Sequence, residues 1–328
     1  MNKTNKENNT IFSYKKSKRA KKSKIPKVAK LLIILLTSLI ILLVITIAVI
    51  ENSKAKIELT QLSARSDNSM MGYFIKTKNN KTIVVDGGLK IEKDTLKQYI
   101  EKNGNTVDYW FITHPHKDHV GAFIDIVQNS DIEIKNVYYS INSLEWYDKY
   151  EHDRLGEIEE FKKTIENDKI KPIAKTPQIG EIIDIEKNLK VEILELANPE
   201  ITNNAINNSS MVFKMYVNDQ TILFLGDAGV EESQKLIKQY GTELKSDIVQ
   251  MSHHGQNGAT KELYQLVQPE ICLWPTQGWL WDNNIGQGFN TAHYKTIQTR
   301  EWMEQIGVKT NYVAKDGDIT ISIGGNSK

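Results

Sequence analysis

Val107-Asp108-Tyr109-Trp110-Phe111-Ile112-Thr113-His114-Pro115-His116-Lys117-Asp118-His119 is the stretch on which the reading of this chain turns. Residues 107–112 are almost wholly apolar, the pattern of a short strand covered on both faces. Three of the chain's 7 histidines follow at once, at 114, 116 and 119. His114 and His116 are one residue apart, so an extended backbone projects both to the same side. Asp118 and His119 come as the chain turns into a helix read over 120–128. Neutral imidazole and carboxylate suit zinc, and also iron or manganese. The end of a strand is where such side chains stand on a rigid support.

A second histidine cluster lies far along the chain. Residues 247–251 (DIVQM) read as a strand that runs into Ser252-His253-His254-Gly255. Only His152 and His293 stand alone. Between the clusters, strands 211–217 and 221–225 form a hairpin across 218–220 and lead into Gly226-Asp227-Ala228-Gly229. The two oxygens of Asp227 can each bind one cation, and the glycines allow a tight turn beside it. Two histidine clusters with carboxylates exceed the needs of one four-coordinate ion. Two divalent ions are therefore expected, Zn²⁺ first, with Mn²⁺ or Fe²⁺ as alternatives.

Strands are read over 56–62, 70–77, 82–85, 132–139, two within 180–196, and 270–274. Asp86-Gly87-Gly88 ends the third with a turn. Helices are read over 93–102, 231–240 and 261–267. Residues 143–168 form a long charged segment of helical pattern. A long loop, a helix over 291–306 and a closing strand pair complete the chain, and no internal repeat is visible. This order predicts sheets with helices packed outside.

Thr113–His119 resembles the His-x-His-x-Asp-His signature of the metallo-β-lactamase superfamily. Asp86 in VVDGG is similar to that family's early structural aspartate, Asp227 in LFLGDAG to its bridging aspartate, and His253 or His254 in SHHG to its last metal histidine. The later motifs look closest to the competence DNA-uptake hydrolase domains and the phosphorylcholine esterases. The resemblance spans residues 56–323 and implies an αββα sandwich of α/β class, with a dinuclear site between two sheets. One departure stands out: the family's further histidine before the bridging aspartate is missing, and Asn207-Asn208-Ser209-Ser210 take its place. The first site would then be His114, His116 and Asp227 with water or a weak amide ligand. The second would be Asp118, His119, Asp227 and His254, leaving His253 as a proton-transfer residue.

Residues 31–50 are 20 residues without a charge, enough for a helix about 30 Å long that spans a bilayer core. Residues 1–50 hold 11 Lys/Arg and one acid, whereas the rest holds 31 Lys/Arg and 40 Asp/Glu. The basic run before the apolar stretch predicts a cytoplasmic tail (1–30), a transmembrane helix (31–50) and an extracytoplasmic hydrolase domain (56–328) in the cell membrane. The single cysteine, Cys272, excludes an internal disulfide.

The function expected is a membrane-anchored phosphodiesterase that uses a metal-bridging hydroxide. Asp118 would orient that hydroxide, and His253 or His293 would protonate the leaving group. Asn208, Ser209, Trp279 and Trp281 are candidates for substrate contact, the tryptophans as a stacking wall. The partners expected are a phosphodiester substrate and the membrane, with no obligate protein partner. The alternatives are a nuclease, a β-lactam or thioester hydrolase, and a non-catalytic binding module. The excess of acid beyond residue 50 weighs against nucleic acid, which is held by Lys and Arg on phosphates.

Overall fold

The computed structural model describes residues 26–325. Most of the expected basic tail lies outside those residues, as do positions 326–328. The chain divides into two units between Asn52 and Ser53.

Among the described residues the first unit is the helix Lys27–Ser53 up to Asn52. Within it, Lys27–Ile47 has a mean hydropathy of 3.0 and is long and apolar enough to cross a membrane. The hydroxyls of Thr37, Ser38 and Thr46 are satisfied inside the helix. Thr37 and Ser38 donate to the Ile34 carbonyl, and Thr46 donates to that of Leu42. None therefore needs water, as hydrocarbon surroundings demand.

The second unit holds two seven-stranded sheets. The first runs Ile319–Gly324, Lys56–Gln61, Gly72–Thr77, Thr82–Asp86, Tyr109–Phe111, Val137–Tyr138, Ala174–Lys175. The second runs Ile182–Glu186, Leu189–Glu195, Val212–Val217, Gln220–Phe224, Ile248–Gln250, Ile271–Trp274, Thr310–Val313. In each, the first three pairings are antiparallel and the last three parallel. The halves thus repeat one another, although no repeat is legible in the residues. A detail repeats as well. The Asp108 carboxylate accepts from Thr82 N at 2.9 Å, and the Asp247 carboxylate accepts from Thr221 N at 2.7 Å. Each bond fixes the start of a strand that ends at, or leads into, a site aspartate.

Side chains alternate between two cores, as pleated strands require. Tyr73, Ile75, Ile83, Val85 and Phe111 meet Val191, Phe213, Met215, Ile222 and Phe224 between the sheets. Phe74, Val84 and Trp110 point outward to helices Lys93–Lys102, Lys117–Asn129 and Leu155–Ile165. Val212, Leu223 and Val249 pack against helices Val230–Tyr240, Lys261–Val267 and Thr296–Ile306. Burying each large apolar side chain contributes about 1.5–3 kcal/mol. The four layers are the αββα sandwich expected.

Two readings need correction. The last two strands do not pair with each other: Thr310–Val313 edges the second sheet, whereas Ile319–Gly324 crosses to the first and pairs with Lys56–Gln61. The segment 143–168 is two helices, Leu144–Tyr150 and Leu155–Ile165, broken at His152–Arg154. The break lets Tyr147 and Ile158 converge on Ile206 in a small core of their own.

Candidate metal centre

The site lies past the C-terminal ends of matching parallel strands, two from each sheet. Thr82–Asp86 supplies Asp86, and Tyr109–Phe111 leads into residues 113–119. Gln220–Phe224 leads into Asp227, and Ile248–Gln250 into His253 and His254.

Close packing shapes these turns. Gly226 has φ +54°, and a Cβ there would lie 2.8 Å from Ser210 Oγ and 2.9 Å from Thr113 Cβ. The buried Gln250 side chain holds the same turn. Its oxygen accepts from Leu225 N and Gly226 N, each at 2.8 Å, while its amide donates to Gly226 O and Met251 O. This residue was missed from sequence, although a lone polar residue in the apolar strand before SHHG was a usable signal. His253, His254 and Gly255 all take left-handed backbone, at φ +50°, +56° and +76°. Such strain in non-glycine residues concentrates at functional sites.

One carboxylate oxygen gathers the histidines. Asp227 Oδ2 lies 3.8 Å from His114 Nε2, 3.4 Å from His119 Nε2, 3.9 Å from His253 Nε2 and 3.8 Å from His254 Nε2. His116 Nδ1 is 3.0 Å from His114 Nε2, and His254 Nε2 is 3.1 Å from Asp118 Oδ2. Outer partners aim the rings. His119 Nδ1 donates to Asp86 Oδ2 at 2.8 Å, and His254 Nδ1 donates to the Pro275 carbonyl at 3.0 Å. Both bonds turn Nε2 toward the centre, where a bound cation would take the place of its proton. Asp86, fully buried, also accepts from Thr113 N at 2.8 Å and Thr113 Oγ1 at 2.9 Å.

Charge is divided within the site. Burial, with His119 nearby, holds His114 well below the ordinary imidazole range, and burial lowers His116 to about 4. Burial lowers His253 too. Burial opposes a proton on His119 and on His254, but Asp227 outweighs it, aided by Asp86 at His119 and by Asp118 at His254. Asp227 stays ionised well below its usual range: burial works against the charge, and His119, His254 and His253 overcome it. For Asp118, burial is outweighed by the hydrogen bond from His254 and by His119.

The residues fit a pair of divalent cations. His119 Nε2 and Asp227 Oδ1 are buried and have no hydrogen-bond partner, a costly arrangement unless something binds there. His114, His119 and Asp227 bring three donor atoms within 4.8 Å of one another, and Asp118, His119 and His254 do the same. The protons drawn to His119 and His254 mark where positive charge is favoured.

Other expected residues fall elsewhere. Asn208 and Ser209 are fully buried and cannot touch substrate. Asn208 Oδ1 accepts from Gly229 N at 3.0 Å and Glu232 N at 3.2 Å, capping helix Val230–Tyr240, and is not an amide ligand. Ser209 Oγ accepts from Asn198 N and Asn142 Nδ2. His293 is exposed and stacks on Tyr294; Tyr294, not His293, lines the cleft at the site. The two tryptophans part company. Trp279 lines this cleft of 440 Å³, whereas Trp281 lines a separate one of 530 Å³ beneath Arg300. They lie two apart on the short helix Gly278–Trp281, so they leave it on opposite sides.

The description "Metallo-beta-lactamase superfamily" belongs to the family pattern that matches residues 72–270. No curated protein matches the sequence. Among solved structures, the metallo-beta-lactamase fold protein YhfI from Bacillus subtilis is similar at 12% identity, covering 82% of this chain and 100% of that one, with a TM-score of 0.49. Igni18, a metallo hydrolase from Ignicoccus hospitalis, is 14% identical over 82% of this chain and 98% of its own, with a TM-score of 0.47. CmlA, a diiron beta-hydroxylase from Streptomyces venezuelae, is 11% identical over 82% of this chain and 54% of its own, with a TM-score of 0.49.

Proposed function

This chain belongs to the metallo-β-lactamase superfamily of metal-dependent hydrolases, and from that premise we propose that it is a membrane-anchored phosphodiesterase with a dinuclear site. The carrying observation is the set of four imidazole nitrogens within 3.9 Å of Asp227 Oδ2. His114, His116, His253 and Asp227 would hold one ion, and Asp118, His119, His254 and Asp227 the other. His253 stands as close to Asp227 as His254 does and takes the place of the histidine missing before the bridging aspartate. The adjacent pair thus serves one ion each. Bound ions would supply Lewis-acid stabilisation of a phosphoryl oxygen and a water of lowered pKa. Zinc suits the imidazole-rich donor set best, with manganese and iron as the alternatives.

The chain's own residues do the rest. Asp118, ionised and fixed by His254, orients a water within the cleft. Asp86, through His119 Nδ1, keeps that ring in the tautomer a cation needs. The apolar helix would anchor the enzyme, and the basic run before it supports a hydrolase domain outside the cytoplasm.

The full-length chain in detergent, given Zn²⁺ or Mn²⁺, is expected to hydrolyse bis-p-nitrophenyl phosphate, and Asp227→Ala to abolish turnover. Wild-type turnover in that variant would refute the site. Protease added to intact cells is expected to digest residues beyond 53, and protection would reverse the topology.

A further inference from the structure

The cleft has a second recognition surface beyond the metal donors. Trp279 Nε1 donates to the Asp67 carbonyl at 2.7 Å, so its one polar group is already engaged and its ring is fixed. Tyr294 stands edge-on to that ring, at 5.5 Å between centroids. The loop carrying Asp67 is itself held down. The buried Glu92 carboxylate accepts from Arg65 N at 2.7 Å and from Ser66 N at 2.8 Å. The aromatic wall is therefore built before any ligand arrives, and binding need not bear the cost of ordering it.

Neutral amides share the cleft with this wall: Asn68, Asn204 and Gln256 all line it. Its two cations are not free for a row of phosphates. Lys117 Nζ lies 3.7 Å, and Arg154 Nη1 3.0 Å, from the same Glu157 oxygen. A strand of nucleic acid would need several unpaired cations. A sugar ring needs what is present: an aromatic face for its C–H side, and amides and carboxylates for its hydroxyls.

Resting on the phosphodiesterase reading, the geometry points to a substrate in which one alcohol of the diester is an uncharged sugar, its ring stacked on Trp279 beside Tyr294. At 440 Å³ the cleft is within the range that holds a small ligand.

The test uses three diesters that share a p-nitrophenyl group and differ in the other alcohol: methyl, α-D-glucosyl and cholinyl. The metal-loaded full-length protein should favour the glucosyl diester over the methyl one by about tenfold in kcat/KM, the size of a good aromatic contact. In Trp279→Ala that ratio should fall to near one. Saturation-transfer NMR with methyl α-D-glucosyl phosphate reads ring contact without turnover, and the Trp279 variant should lose the signal. Preference for the cholinyl diester, or a ratio untouched by Trp279→Ala, overturns the sugar assignment. Absence of turnover with all three would defeat the phosphodiesterase reading alone, and the NMR contact would still decide the sugar subsite.

Discussion

Replacing Asp86 by Asn tests whether a residue that never meets a cation controls how one is held. Asn has nearly the same shape and tolerates the left-handed backbone that Asp86 adopts at φ +54°. Its carbonyl can keep the bond from Thr113 N. The new amide then sits where Oδ2 was, facing Thr113 Oγ1 at 2.9 Å and His119 Nδ1 at 2.8 Å. Both are donors in the native site. The Thr113 hydroxyl can rotate, but His119 must move its proton from Nδ1 to Nε2. The Nε2–H then points at Asp227, and the lone pair that would bind a cation is gone. Losing a buried bond to a charged group costs about 1.5–3 kcal/mol. Comparable changes behind metal ligands weaken binding about 10–100-fold. Zinc titration against a competing chelator should show that loss for one ion, with the other held more tightly. Nitrogen chemical shifts of His119 should show the exchanged tautomer, and circular dichroism a retained fold. Wild-type zinc affinity with His119 still protonated at Nδ1 would refute the reasoning.

Gly255→Ala should damage the fold near the site. Its φ is +76° and a Cβ would lie 2.4 Å from the Trp274 ring, so a loss of at least about 1–3 kcal/mol is expected in denaturant unfolding. Glu232→Gln should stabilise the protein at neutral pH. Burial, with Glu195 beside it, pushes the Glu232 carboxyl well above its usual range. Its favourable contribution is complete below the unfolded pKa and is lost as pH rises toward the folded value, at up to about 1.4 kcal/mol per pH unit. The thermal midpoint of the variant should therefore fall less than that of wild type between about pH 5 and about pH 8, the window in which a raised carboxyl titrates; an equal fall would remove the assignment. Trp281→Ala should lower the thermal midpoint, because the ring packs on Trp274 at 5.2 Å and under Arg300 at 4.0 Å. It should not abolish the glucosyl preference, and abolition would mean that the two clefts act as one.

Much of this was legible because local patterns carry it. The apolar run before His114 is a central strand, and the histidine spacing places His114, His116 and His119 together. Helix Lys93–Lys102 follows its apolar periodicity to the residue. What failed depends on backbone geometry or on distant partners. The left-handed turn at His253 and His254 lets adjacent residues reach the same carboxylate, and only Gly255 hints at it. Trp279 and Trp281 look alike as letters, but about half a helical turn separates their directions. Asn208 is a polar residue in a loop, and only the fold shows the helix it caps. The partner of the last strand depends on contacts across nearly the whole chain.

That last strand governs how the domain can be assembled. Thr60 and Thr320 share a hydrogen bond although they are 260 positions apart, and Lys56 to Gln61 pair with Gly324 to Ile319 throughout. The strand nearest the apolar helix emerges early but finds one of its two neighbours only after everything else has been made. Closing so long a loop is slow. Until then its hydrogen-bonding edge is bare, open to pairing with any extended chain nearby. A nascent copy would need that edge shielded until the last strand arrives, and truncation just before residue 319 should leave a protein that has its metal-site residues but tends to aggregate.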